Sequence, residues 1–154
     1  MENTWAFDDE LIEIEGLYKP DNNINYCQYP RKEFIKELNL EIPEQKPNIE
    51  KLAKIMIKAD IIKSKIIDTP EGLKAIIQGK INKQIYYVAD NPEQSVHAAH
   101  FEIPFCNFIK LSNCNKIKNI KVYVEDVSSV VVNPRKINEC VVIFICIIPE
   151  CCDC

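Results

Sequence analysis

Thiols are the side chains of this chain with the most chemistry to offer. Eight cysteines are present, and five of them fall in the closing stretch CVVIFICIIPECCDC, residues 140–154. Cys151, Cys152 and Cys154 crowd into the last four positions. A disulfide wants Cα atoms about 4.4–6.8 Å apart, whereas consecutive Cα atoms lie only about 3.8 Å apart. Cys151 and Cys152 are therefore poor partners for each other. Cys154 can close back onto Cys151, which still leaves Cys152 to bond elsewhere, so the tail directs at least one thiol outward. Cys27 and Cys114 sit in loop-like stretches and are the preferred partners for it. Cys27, Cys114, Cys151, Cys152 and Cys154 are thus the candidates for intermolecular disulfides. Cys106, Cys140 and Cys146 lie in apolar stretches and are expected as additional thiols or as small buried fillers. Cys140 and Cys146 share one strand face some 20 Å apart at about 3.3 Å per residue, so they do not pair with each other.

Other chemistry is thin. The tail contains a C-x-x-C, and with Cys114 as a fourth ligand it offers an alternative zinc site. Zinc sites usually bring a second ligand pair, and redox C-x-x-C motifs open a helix after a strand, so crosslinking is the preferred reading. His97 and His100 stand three apart in SVHAAHF. On a strand that odd spacing puts them on opposite faces, which favours a structural role over metal binding. The acidic clusters Glu125-Asp126 and Asp8-Asp9-Glu10 have no nucleophile and base around them. With three glycines in all (Gly16, Gly72, Gly79), no phosphate-cradling loop can be assembled. No G-x-S-x-G or H-E-x-x-H occurs, and the chain reads as non-enzymatic with no cofactor.

The elements that must position these thiols are strands. At 154 residues the chain is one domain, large enough to bury a core without staples. The thiols are therefore surplus to folding. A net charge of −4 with dispersed Lys and Arg argues against nucleic-acid or anionic-membrane partners. The start, MENTWAFDDE, lacks the features of a secretory signal. The longest apolar run, 140–149, is about half of what a membrane helix needs. Folding in a reducing cytosol is expected, with oxidation coming later.

Residues 1–10 read as a flexible arm, and 11–20 as a short strand broken at Gly16 and Pro20. Residues 21–32 are loop-like. Alternation over Leu38, Leu40 and Ile42 ends at Pro43 and Pro47, and NIEKLAK leads either into one helical turn or directly into a strand. Period-two patterning follows over Ile55, Ile57, Ala59 and Ile61, with a turn at 68–72 and a second long strand that has a candidate bulge at Gly79. Pro104 suits an edge strand or a bulge better than a central ladder. A polar loop at 112–119, alternation over Ile120, Val122 and Val124, a turn at Asn133-Pro134 and a last strand to Ile148 complete the chain. The last strand is apolar on both faces, which suits a central strand, or one buried against a second subunit. The fold expected is all-β: an antiparallel β-sandwich of about 7–9 strands over 11–149, with an N-terminal arm and a Cys-rich tail, 150–154.

The blocks PEQKPNIEKL (43–52), IIDTPEG (66–72), QGKINKQIYYVAD (78–90) and NPEQSVHAAHFEIPFCNFI (91–109) carry a specific resemblance. Over residues 38–148 the chain resembles the SPOCS domain of spore-forming bacteria. The resemblance implies a non-catalytic β-rich module used in coat or exosporium assembly. Some members join it to a LysM module and act as adaptors, for which this chain has no room. Others are cysteine-rich exosporium proteins that self-assemble, and the thiol tail is similar to theirs. The resulting expectation is a structural spore-surface protein, made in the mother-cell cytoplasm and deposited on coat or exosporium. Its partners would be copies of itself, in an array or filament locked by disulfides, and other coat proteins. The alternatives are a morphogenesis adaptor binding another coat protein, and a zinc-binding tail.

Overall fold

A computed structural model describes residues 12–20, 25–112 and 116–150; the arm at 1–10, Cys114 and the Cys-rich tail lie outside these, as does the side chain of Cys27. Among the described residues seven strands form two sheets: β1 (Glu13–Glu15), β2 (Arg31–Glu41), β3 (Ile49–Thr69), β4 (Gly72–Ala89), β5 (Val96–Lys110), β6 (Ile117–Asn133) and β7 (Lys136–Pro149). One sheet runs β1-β3-β4-β5 and the other β2-β7-β6. Pairing is antiparallel except between β1 and β3, which run parallel. This is the all-β sandwich that the alternating pattern implies. The stretch NIEKLAK enters β3 directly, with no helical turn.

Alternation fills the core. Ile55 and Ile57 on β3, Ile77, Ile81 and Ile85 on β4, and Val141, Ile143, Ile145 and Ile147 on β7 are all buried. In the midst of them stand two charges. Lys83 falls in the inward series Ile81-Lys83-Ile85, and Glu139 falls in Ile137-Glu139-Val141. Both side chains are 0% exposed, and Lys83 Nζ contacts Glu139 Oε1 across the two sheets. The hydroxyl of Ser129, in register with Glu139 on β6, donates to Oε2 of the same carboxylate.

Two backbone devices hold the sheets together. Leu17 leaves β1 and bridges in parallel to Val124 of β6, so a single short segment touches both sheets. The crossing point is Gly16, at φ +110°, where an added Cβ would be driven into the Ile57 carbonyl oxygen. At another corner Arg135, in the β6–β7 turn, donates to the carbonyl oxygens of Lys46 (2.5 Å), Ile42 (3.1 Å) and Pro43 (2.6 Å). These bonds clamp the crossover from β2 to β3.

Irregularities fall where side chains require them. The bulge expected at Gly79 lies instead across from it, on β3 between Ile61 and Lys63. Gly79 is needed because a Cβ there would collide with the Phe105 ring. The alternation of β6 breaks at Glu125, between Val124 and Asp126, so Val124 and Val127 both face inward. Pro104 sits on β5, an edge strand, where its missing donor costs no ladder bond.

Gly16→Ala should lower unfolding stability by about 1–3 kcal/mol from the backbone conformation alone, and further through the clash with Ile57. A urea melt checks this; an unchanged midpoint would show that the strap between the sheets is dispensable.

Candidate functional site

The thiols separate by environment. Cys146 lies on β7 at the end where residues 26–30 fold down on the sheet, tied by the Ile147 amide donating to the Pro30 carbonyl at 2.8 Å. It is fully buried, and burial pushes its thiol up to about 11, with Arg31 acting in the opposite sense. A thiol held that high is a poor nucleophile at neutral pH. Cys146 is thus the small buried filler.

Cys140 occupies the same face of the same strand, yet it is exposed. It stands between Glu37 of β2 and Ser128 of β6. The outer face around it is mixed: exposed Ile35 (62%) lies one step along beside Val142, and partly exposed Val130 one step along the other way beside Asn138. Cys106, which its apolar neighbours suggested as a core filler, is also exposed. The reason is parity on β5: Phe105 turns into the core and Cys106 turns outward, opposite Gln78. Cys106 and Cys140 therefore face away from each other, on the outer surfaces of different sheets. Cys114, Cys151, Cys152 and Cys154 lie outside the described residues, as does the side chain of Cys27.

His97 and His100 fall on opposite faces of β5, as their spacing implies. His97 stacks on Tyr87 with centroids 6.0 Å apart, and its Nε2 meets Ser95 Oγ at 3.0 Å. His100 is exposed, in register with Gln84. Among the described residues no group of three His, Cys, Asp or Glu is arranged to hold a metal. No helix among them is long and apolar enough to cross a membrane.

The covered end of the β2-β7-β6 face carries a cluster that alternation alone does not reveal. Tyr18, Tyr26, Tyr123 and Phe144 pack ring against ring, and the Tyr26 and Tyr123 hydroxyls meet at 2.5 Å. Glu125 lines the same small pocket. Its carboxyl is held up at about 7 by hydrogen bonding to Glu33, then by burial and the Glu33 charge. Its Oε1 is buried and meets no hydrogen-bond partner among the described residues. The bulge at Glu125 turns this acid toward the rings, a displacement that strict alternation conceals.

With the geometry in place, the comparison with known families is informative. The family model described as SipL, SPOCS domain, matches residues 48–132, more than half of the chain. The chain belongs to the SPOCS-domain family. It is accordingly a sporulation-associated protein. The matched segment comprises β3, β4, β5 and nearly all of β6, and so includes Lys83 and Ser129 but not Glu139. No curated protein and no solved structure matches the chain.

Two outcomes follow from these environments. Under reducing native conditions an alkylating agent should modify Cys106 and Cys140 quickly and Cys146 only after unfolding, as read by peptide mass spectrometry. Native labelling of Cys146 at the rate of Cys140 would contradict its burial. For Glu125 the folded-state value is raised from 4.5 to about 7, so the native state holds a proton that the unfolded chain has released. Stability from this group is greatest below about 4.5 and is lost as pH rises through about 7. Glu125→Gln, which supplies a permanent donor to Glu33, should remove that decline in melts run between pH 5 and 8.

Proposed function

We propose that this protein is a structural component of the spore surface, in coat or exosporium. It would self-assemble through its sheet faces and edges and be locked by intermolecular disulfides. The observation that carries this reading is the placement of Cys106 and Cys140 on outward faces of different sheets. Two thiols that cannot reach each other make each copy bifunctional toward its neighbours. Linkage through both would propagate rather than close on a pair.

Further support comes from what surrounds them. The exposed side chains of Ile35 and Val130, one step along the sheet on either side of Cys140, offer apolar surface to bury against another copy. Strands β2 and β5 are edges of their sheets among the described residues, positions from which a further strand can be added. The tail adds three more thiols beyond β7. Assembly would begin in the reducing mother-cell cytoplasm by non-covalent association and be fixed by disulfides once the surroundings turn oxidising. Other coat proteins carrying exposed thiols would join by the same chemistry.

Oxidised protein should run as a ladder on a non-reducing gel and collapse to the monomer with reductant. Deleting residues 150–154 should remove most of the ladder, and adding Cys106→Ser with Cys140→Ser should reduce it further, leaving only what Cys27 and Cys114 can link. Negative-stain microscopy of the intact chain should then show sheets or fibres. A stable monomer under oxidising conditions would favour the adaptor reading, and stoichiometric zinc in the reduced protein would make the tail a ligand set.

A further inference from the structure

The buried contact between the two sheets is chemically unusual. Lys83 and Glu139 each have a side chain that is 0% exposed, and on their own strands they stand between the buried residues Ile81 and Ile85, and Ile137 and Val141. An ammonium group has three N–H donors, yet among the described residues the one acceptor that Lys83 meets is Glu139 Oε1. An ion pair here leaves two charged N–H groups unserved in an apolar core, an expensive arrangement. The carboxylate is better supplied, because its second oxygen accepts from Ser129 Oγ. Burial also pulls the Lys83 amine below its usual range, against the opposing pull of Glu139.

We propose that Lys83 and Glu139 condense into an intramolecular amide that joins the two sheets covalently. The ammonium–carboxylate pair and the amine–carboxylic acid pair carry the same net charge, so one proton passing from Nζ to the carboxyl prepares both reactants. The Nζ lone pair then attacks Cδ of Glu139. Oε2, held by the Ser129 hydroxyl, takes up the developing negative charge and becomes the amide oxygen. Oε1, on the Lys83 side, collects the second nitrogen proton and leaves as water. One C–N bond forms, one C–O bond breaks, and no oxidant or reductant is involved. The product has a single uncharged N–H where the ion pair has three charged ones. Expelling the water from an apolar interior favours the amide further.

Position on the strands adds to the argument. Lys83 is on β4 and Glu139 on β7, the middle strand of the opposite sheet. A bond there would fasten the sandwich through its centre and survive reductants that open every disulfide. Ser129 would act as a single oxyanion donor, a role whose loss typically slows acyl chemistry about 10²–10³-fold.

The test is the mass of the intact, reduced and alkylated full-length protein, taken from a sample with a folded β-sheet spectrum. The expected mass is one water below that of the sequence, with the deficit absent in Lys83→Met. Tryptic digestion should yield a branched peptide in which 81–110, uncleaved at Lys83, is joined to the peptide beginning at Ile137. Ser129→Ala should accumulate the deficit more slowly than the parent chain. A folded wild-type chain at full sequence mass, or a deficit that persists in Lys83→Met, overturns the proposal. The branched peptide decides the matter even where Lys83→Met does not fold.

Discussion

The sandwich depends on one polar contact in its interior. Lys83 reaches Glu139 only if β4 and β7 hold their registers, since a slip of one residue turns a side chain to the opposite face. Aliphatic positions on these strands are nearly interchangeable: isoleucine recurs at 77, 81 and 85 and again at 143, 145 and 147. A core so uniform in shape would tolerate sliding of one sheet over the other. A buried charge without its partner would not be tolerated, with a cost of roughly 3–5 kcal/mol when one member is removed. The Lys83–Glu139–Ser129 contact thus selects one relative placement of the sheets, and that placement determines where every outward side chain points.

The remaining devices act at the rim. Gly16 lets the β1 segment cross from β3 to β6, and Arg135 ties the β6–β7 turn to the carbonyls of residues 42–46. On the opposite rim the link is looser. Lys32 donates to the Phe108 carbonyl at 3.2 Å and lies over the Phe108 ring at 4.1 Å. An open trough of about 650 Å³ between β2 and β5 separates the sheets there. One side of the sandwich is closed by backbone, and the other keeps two edge strands accessible.

Much of the fold was legible in the sequence because alternation is a direct imprint of the pleat. The strand runs, the turn at Asp68–Gly72 and the edge position of Pro104 follow from residue types alone. Two things were hidden. Lys83 and Glu139 interrupt apolar alternation at inward positions, a signal that a parity count along 77–89 and 137–147 would have exposed. Without the pairing of the two sheets, neither charge pointed to the other. Bulges were the second obstacle: one residue inserted at Glu125 reverses the inward set of β6, and no local composition announces it. The exposure of Cys106 against the burial of Cys146 was hidden for a related reason. Both sit in apolar surroundings in sequence, and only the third dimension shows which is covered.

Cys140 and Cys146 show how a thiol's fate is decided here. They share one face of β7, and the segment at 26–30 folds over the end that holds Cys146 while Cys140 stays bare. The strand therefore bears its exposed sulfur near its start, and the tail thiols follow its far end. From Cys140 to Pro149 an extended strand covers about 30 Å. The five residues from Glu150 to Cys154 span at most about 18 Å. No thiol of the tail can therefore bend back to the Cys140 of its own chain. A disulfide between the tail and Cys140, wherever it forms, has to join two copies.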